Sequence, residues 1–327
     1  MPLTFAGVDV SKATLEFAWA GQASTKQFPN TPAGRSALLR TLQVCSAAAP
    51  VQIVLEPTST YHHHLVEALA AAGLAFTMVN PARTAAFAHV QGSRAKTDKA
   101  DAKLLAAYGA SQQPPASPSP DAAQEQLKAL RRHKEWLEGQ LQDTKNRLEA
   151  AEHSPWTPRA VIQSLKQTAR DLERQVEQVQ KALEILVASE ERWQREIPLL
   201  VSIPGIGVQT AILLLSELPP VDRCASAKTW VAFCGVNPTP YDSGKHKSSR
   251  LSRAGTVHVR AGPYWPTIVS MGHNPLIRPF NTRLQAAGKL GKVRIMAAMN
   301  KLLHLCFAVL KRGTPFVTSL GSAPQSP

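Results

Sequence analysis

Short apolar runs alternate with turn residues and amphipathic stretches through the first hundred or so positions. Runs at 4–10, 14–20, 25–29, 51–56 and 75–79 have the length and composition of strands, and helices are expected near 32–47, 62–72, 81–88 and 97–110. Pro57 ends the fourth run, and Pro81 after Asn80 suits the first turn of a helix. The order β-β-β-α-β-α-β-α predicts a mixed sheet under helices, with the first three strands as an antiparallel meander. Residues 112–120, Gln112-Gln113-Pro114-Pro115-Ala116-Ser117-Pro118-Ser119-Pro120, read as a stiff, extended linker.

The period then changes from two to three and a half. From Ile162 the apolar positions follow a strict 3-4 spacing: Leu165, Ala169, Leu172, Val176, Val179, Leu183, Leu186, Trp193 and Ile197, with Glu190 as the one break. Leu127, Leu130, Leu137, Leu141, Leu148 and Ala151 form a similar seam upstream, with Lys134 and Thr144 in its weak places. Ser154-Pro155-Trp156-Thr157-Pro158 separates the two. The expectation for 121–198 is an antiparallel coiled-coil hairpin. It can serve as an intramolecular spacer. Two helices have little core of their own, so contact between subunits is expected as well, giving a dimer to tetramer.

Residues 199–321 are expected to form a mostly helical domain, followed by a disordered tail at 322–327. Ser202-Ile203-Pro204-Gly205-Ile206-Gly207 before the apolar helix Thr210–Leu218 has the look of a helix-hairpin-helix turn. A packing turn and a phosphate contact are both open readings of it. Tyr241–Ala261 is polar and basic, a loop or short hairpin, and helices near 275–287 and 293–311 close the domain.

Charge sharpens this division. The net charge is +14: residues 1–120 carry 9 basic and 6 acidic side chains, 121–198 carry 13 and 14, and 199–327 carry 15 and 3. A surplus concentrated in one segment favours a polyanion, because each neutralised phosphate releases counterions. An anionic membrane surface is the competitor. No long basic amphipathic helix with an aromatic-rich face supports it, and neither a signal peptide nor a membrane span is expected. Cys45, Cys224, Cys234 and Cys306 lack CxxC spacing, which disfavours a zinc site and suits reduced thiols in a cytoplasmic protein.

The candidate chemistry lies in four carboxylates. Asp9 ends an apolar run, Glu56 ends another, and Asp98 and Asp101 share one face of a helix at i, i+3. Oxygen-only ligands suit Mg²⁺ or Mn²⁺, and ions of this kind can activate an attacking oxygen and stabilise a leaving one in phosphoryl transfer. Taken singly, Asp98 and Asp101 can simply cap and solvate a helix. A Gly-Val-Asp-Val strand also occurs in actin-like sugar kinases, but the later Gly-rich phosphate loop that those need is missing. His62, His63 and His64 point in different directions if helical and read as surface or substrate-facing, with at most one near the acids.

Three acidic stretches, Gly7-Val8-Asp9-Val10-Ser11-Lys12, Glu56-Pro57-Thr58-Ser59-Thr60-Tyr61 and Lys96-Thr97-Asp98-Lys99-Ala100-Asp101-Ala102, precede three others. Those are Pro204-Gly205-Ile206-Gly207, Phe233-Cys234-Gly235-Val236-Asn237-Pro238 and Ser243-Gly244. In this order the set resembles the DEDD, RuvC-like insertion-sequence transposases of the one-ten family over essentially the whole chain. The resemblance implies an RNase H/RuvC-like α/β domain at 1–111 that holds Mg²⁺ (or Mn²⁺) on Asp9, Glu56, Asp98 and Asp101. It implies a C-terminal transposase domain at 199–321 in which Ser243 attacks DNA, and a structured bridge RNA that pairs with donor and target duplexes. Ser59 departs from the family, which often has Gly there.

Read from its surroundings alone, Ser243 is one of several serines in a polar stretch, with Ser248, Ser249 and Ser252 equally eligible. A hydroxyl needs a base, a metal or a positive field to become a good nucleophile. Lys245, Lys247, Arg250, Arg253 and Arg260 supply such a field and are expected to contact phosphates. The function expected is an RNA-guided DNA recombinase that moves an insertion sequence through a phosphoserine intermediate. The alternatives are a RuvC-like junction-resolving nuclease that uses metal-bound water, and a non-catalytic nucleic-acid-binding protein.

Overall fold

The computed structural model describes residues 3–47, 49–57, 59–92, 97–243, 246–252 and 255–317, and for 240–243 and 246–250 the backbone alone. The chain divides into two compact units, residues 1–121 and 122–327. The expected linker falls in the first unit, and the expected hairpin shares the second with the C-terminal helices. The expected tail at 322–327 lies outside the described residues.

The first unit runs β1 (Thr4–Val10), β2 (Thr14–Trp19), β3 (Thr25–Pro29), α1 (Pro32–Ser46), β4 (Val51–Leu55), α2 (His63–Ala71), β5 (Ala75–Met78), α3 (Pro81–Val90) and α4 (Asp98–Gln112). The sheet order is β3-β2-β1-β4-β5; β1, β2 and β3 are antiparallel neighbours, and β4 and β5 continue parallel to β1. Alternation along the strands sorts their side chains. Ala6, Val8 and Val10 meet Leu38, Leu42, Leu65 and Leu69 of α1 and α2, while Phe5 and Val54 on the other face pack with Leu105 and Tyr108 of α4. The mixed α/β layers expected from the pattern are thus present.

The Pro/Ser segment is not a free spacer. The Ser117 amide donates to the Phe76 carbonyl at 2.7 Å and its hydroxyl accepts from the Met78 amide at 3.0 Å, so the segment pairs along the outer edge of β5. Gln52, buried on β4, donates to the Pro114 carbonyl at 2.7 Å. An edge strand that would otherwise offer unpaired backbone is covered in this way.

The second unit begins with α5 (Ala122–His153) and α6 (Arg159–Ser189), followed by α7 (Glu191–Val201), α8 (Val208–Glu217), α9 (Ala227–Ala232), β6 (Pro238–Ser243), β7 (His246–Leu251), α10 (Val257–Ala261), α11 (Tyr264–His273), α12 (Ile277–Ala286) and α13 (Gly291–Arg312). The seam positions of α5 and α6 are all buried or half-buried, and Lys145–Glu173 and Lys166–Glu152 ion pairs join the two helices at 2.8 and 2.7 Å. Glu190, the break in the seam, is where the helix itself breaks: its extended backbone separates α6 from α7. At the other end of the pair Leu127, Leu183 and Trp193 enter one core with Leu214, Trp230, Met299, Leu302 and Cys306. The hairpin is therefore rooted in the C-terminal helices.

One expectation for the C-terminal segment is corrected, and one of two open readings gains support. The stretch read as loop or hairpin is a two-stranded hairpin only as far as Leu251, and Val257–Ala261 is a short helix capped by the Thr256 hydroxyl. The Pro204–Gly207 turn is a packing turn at Gly205: φ is +105°, and a Cβ there would lie 2.0 Å from Ser270 Oγ on α11. Helix α13 is long and apolar enough to cross a membrane by length and composition, but Ala298, Met299, Leu302, Leu303 and Cys306 place one side of it fully in the core.

Buried charge ties α5 to α8. Arg132 Nε and Nη2 donate to the two oxygens of Glu217 at 2.8 Å each, and Arg131 adds a third contact and donates to Ser216 Oγ at 3.1 Å. The Glu217 side chain has no exposure. Burial by itself raises its pKa, but the hydrogen bonds and charges of Arg132 and Arg131 outweigh burial and hold the group below the ordinary carboxylate range. Glu217→Ala leaves the buried Arg131 guanidinium without its main partner and is expected to cost about 3 kcal/mol in urea unfolding at pH 7. Because the folded pKa is depressed, this contribution is present above the unfolded value and lost as pH falls through the folded one. The difference between the two proteins is therefore expected to shrink in acid.

Candidate active site

Close packing of α4 on β1 builds the acidic site. A Cβ on Gly7 would lie 2.1 Å from the Ala102 carbonyl and 2.5 Å from the Ala106 amide, and one on Gly109 would lie 2.6 Å from the Phe5 ring. Helix and strand thus run antiparallel at near backbone contact, Phe5 beside Gly109 and Gly7 beside Ala102 and Ala106. Asp9, two residues beyond Gly7 and on the same face, consequently comes under the first turn of α4, which begins with Asp98 and Asp101. Thr97 caps that turn by accepting from the Ala100 amide at 3.2 Å. The partial positive charge of a helix N-terminus favours two carboxylates there.

Glu56 follows the last residue of β4 and is half-buried. The Thr84 hydroxyl, buried on α3, contacts its Oε1. Thr84 was not anticipated from sequence: a threonine in the first turn of a helix usually serves its own backbone, and nothing local marks it as a carboxylate partner. Ser59 has φ +50°, a left-handed conformation that glycine adopts without strain.

Electrostatics register the convergence. The Asp9 carboxyl is pushed up to about 6, first by burial and then by the charges of Asp101, Asp98 and Glu56, against a lowering hydrogen bond from the Val10 amide. All four predicted acids therefore act within one field. Among the described residues no three His, Cys, Asp or Glu side chains converge tightly enough to cage an ion as they stand. The donor set, all hard carboxylate oxygen, fits Mg²⁺ or Mn²⁺ and not a thiophilic metal.

The histidine triplet is split: His63 and His64 are exposed, whereas His62 is buried and precedes α2, against the expectation of a surface position. The cysteines form no disulfide, and burial pushes the Cys234 thiol up to about 12, the state of an inert core thiol.

In the second unit Ser243 ends β6, with its backbone opposite His246 in the ladder. Lys247 stands opposite Asp242, and Arg250 opposite Thr239. Lys245 and Arg253 lie outside the described residues. The hairpin is anchored where Cys234 and Val236 are buried, and where the Gly255 Cα fits so closely against the Phe233 carbonyl that a Cβ would lie 1.9 Å from it. Arg260 turns back on that anchor, Nη1 donating to the Gly255 carbonyl at 3.3 Å. Tyr264 and Trp265, also not anticipated, are exposed rings at the start of α11. Their proximity in sequence to Arg260 was the available signal.

An α/β unit with a coupled acid cluster, joined to a basic helical unit, has the build of an enzyme that processes nucleic acid. Comparison with known proteins narrows this. Residues 6–151 match the DEDD transposase family of IS110, and residues 197–281 match the transposase family IS116/IS110/IS902. The chain belongs to the IS110 family of insertion-sequence transposases. It is 29% identical to the pilin gene-inverting proteins of Moraxella bovis and of Moraxella lacunata, in each case over 97% of this chain and 98% of the relative. It is 26% identical to a 43.6 kDa protein of insertion element IS110 from Streptomyces coelicolor, over 36% of this chain and 29% of that one. This membership supports a DNA recombination enzyme, and a DEDD-type domain implies use of a divalent metal.

The raised Asp9 pKa has a stability consequence. Between the ordinary aspartate value of 3.8 and about 6 the folded protein holds a proton that the unfolded chain has lost, so folding loses stability as pH rises through that window. Asp9→Asn, which cannot ionise, is expected to melt close to wild type at pH 4.5 and above it at pH 7.5 in metal-free buffer. Equal differences at the two pH values would show that Asp9 does not carry the strain.

Proposed function

We propose that this transposase is an RNA-guided DNA recombinase, cytoplasmic and nucleoid-associated, that cuts and rejoins donor and target duplexes through a covalent serine intermediate. The observation that supports a catalytic acid cluster is the field of Asp101, Asp98 and Glu56 at Asp9. Asp9, Glu56, Asp98 and Asp101 would hold Mg²⁺ or Mn²⁺, which when bound neutralises charge on a phosphate and on a departing 3′-oxygen. Ser243 Oγ attacks the phosphorus. The Oγ–P bond forms as the P–O3′ bond breaks, and the serine proton ends on the released 3′-hydroxyl. Rejoining reverses the step, with a 3′-hydroxyl from another strand as nucleophile, so bond energy is conserved without ATP. Lys245, Lys247, Arg250, Arg253 and Arg260 hold backbone phosphates. The printed names of the two Moraxella relatives favour inversion of a DNA segment as one outcome of the same chemistry.

Guidance by a structured bridge RNA and assembly to a dimer or tetramer complete the reading. Half-buried seam residues such as Leu172 and Val179 leave apolar surface on the helical pair that a second subunit's coiled coil can cover.

Ser243→Ala is expected to reduce strand cleavage to background while RNA and DNA binding persist, and Ser248→Ala and Ser249→Ala to retain activity. Stalled labelled DNA, denatured, digested and mapped by peptide mass spectrometry, checks this. Cleavage by Ser243→Ala at the wild-type rate, or an adduct on another residue, would favour metal-dependent hydrolysis. Asp9→Ala, Glu56→Ala and Asp101→Ala are expected to abolish recombination with RNA binding within a few-fold of wild type. Leu172→Glu with Val179→Glu is expected to give a smaller particle by light scattering and no recombination. An unchanged mass with full activity would identify the hairpin as a spacer.

A further inference from the structure

The α4 face of the sheet holds one more carboxylate. Glu16 on β2 stands directly opposite Asp9 in the antiparallel β1–β2 register, so both side chains leave the sheet on the same face. Glu16 is 1% exposed, and neither Oε1 nor Oε2 has a hydrogen-bond partner. The elements around it explain both facts. Ala18, two residues along β2 on the same face, packs with Ala102 and Ala106 of α4, and Gly7 opposite Ala18 brings that helix down onto the sheet. This wall of small residues offers no side-chain donor. Packing alone calls for an apolar side chain here, because a buried carboxylate without a partner is strongly disfavoured. Among the described residues no lysine or arginine bonds it, and the residue across from it on β1 is Asp9 of the acid cluster.

We infer that Glu16 belongs to the divalent-cation site as a positioning residue beneath Asp9, accepting hydrogen bonds from water bound to the ion. This rests on the proposed metal role of the four acids. Hard divalent ions keep several waters, and removing an outer-shell group that orients the ligands typically weakens metal binding about 10- to 100-fold. Glu16 thus extends the site from the β1–α4 junction to β2 and gives its buried oxygens the donors that the protein does not supply.

The test is Mn²⁺ binding, followed by electron paramagnetic resonance and by the rise in melting temperature, for the full chain as wild type, Glu16→Gln and Asp9→Asn. Glu16→Gln is expected to bind Mn²⁺ about 10-fold or more weakly while its metal-free form melts at or above the wild-type temperature, having lost a buried charge. Mn²⁺ affinity within about two-fold of wild type, or weaker binding accompanied by a lower metal-free melting temperature, would overturn the inference, the latter by making Glu16 a structural residue. Should the glutamine variant not fold, Glu16→Leu, similar in size and apolar like its surroundings, is read in the same way. Wild-type protein that binds no Mn²⁺, or Asp9→Asn that binds it as wild type does, would remove the metal reading itself and the inference with it. Loss of binding in Asp9→Asn but not in Glu16→Gln would remove only the inference.

Discussion

Near backbone contact between α4 and β1 is the constraint on which the acidic site depends. Gly7 and Gly109 remove the side chains that would hold helix and strand apart, and Ala18, Ala102 and Ala106 keep the remaining space small. At ordinary helix-on-sheet spacing the first turn of α4 would stand farther from Asp9, and the charges of Asp98 and Asp101 would be weakened by intervening solvent. Held close, they add to burial in pushing the Asp9 carboxyl up to about 6. Packing and electrostatics are thus one arrangement: small residues in the middle of the interface create a concentration of charge at its end. The fold resists that concentration, and a bound cation would relieve it, as is common where stability is exchanged for function.

The second unit solves a different problem. A hairpin of two long helices buries little apolar surface by itself, so its root must be fixed from elsewhere. Leu127, Leu183 and Trp193 do so by entering the C-terminal core, and the Arg131–Arg132–Glu217 group does so by pairing charges that the same core has stripped of water. A buried pair of this kind contributes more to the orientation of α5 on α8 than to net stability, since its attraction is largely offset by desolvation. Farther along, the Phe233–Asn237 segment and Gly255 clamp the two ends of the β6–β7 hairpin. The strand that ends in Ser243 therefore starts from a packed base.

Membership in the IS110 family gives these two units a common purpose, DNA recombination, which neither architecture states alone. A mixed α/β sheet serves many reactions, and basic helical units bind many polyanions. The ordered combination narrows the choice: a coupled acid cluster suited to a hard cation, then a rooted helical pair, then a basic hairpin carrying a serine.

Much of this was legible along the chain. Every strand of the first unit lies within a residue of its apolar run, because period-two alternation and the stops at Pro57 and Asn80-Pro81 act locally. The heptad seam marked the α5–α6 pair, but its spacing runs on through Ile197, and the chain instead breaks the helix at Glu190. The four acids stood out by residue type and by their positions at strand ends and a helix start. Tertiary structure alone decided the rest. The Pro/Ser stretch reads as a spacer until the free edge of β5 is there to receive it. Gly205 could have faced a phosphate until Ser270 was brought against it. Thr84 and Glu16 resemble ordinary helix and strand residues, and only long-range pairing puts one against Glu56 and the other across from Asp9. Local pattern determines which elements form and which face of each is apolar. Which polar side chains meet is set by contacts between residues far apart in the chain, and a single sequence carries no period for those.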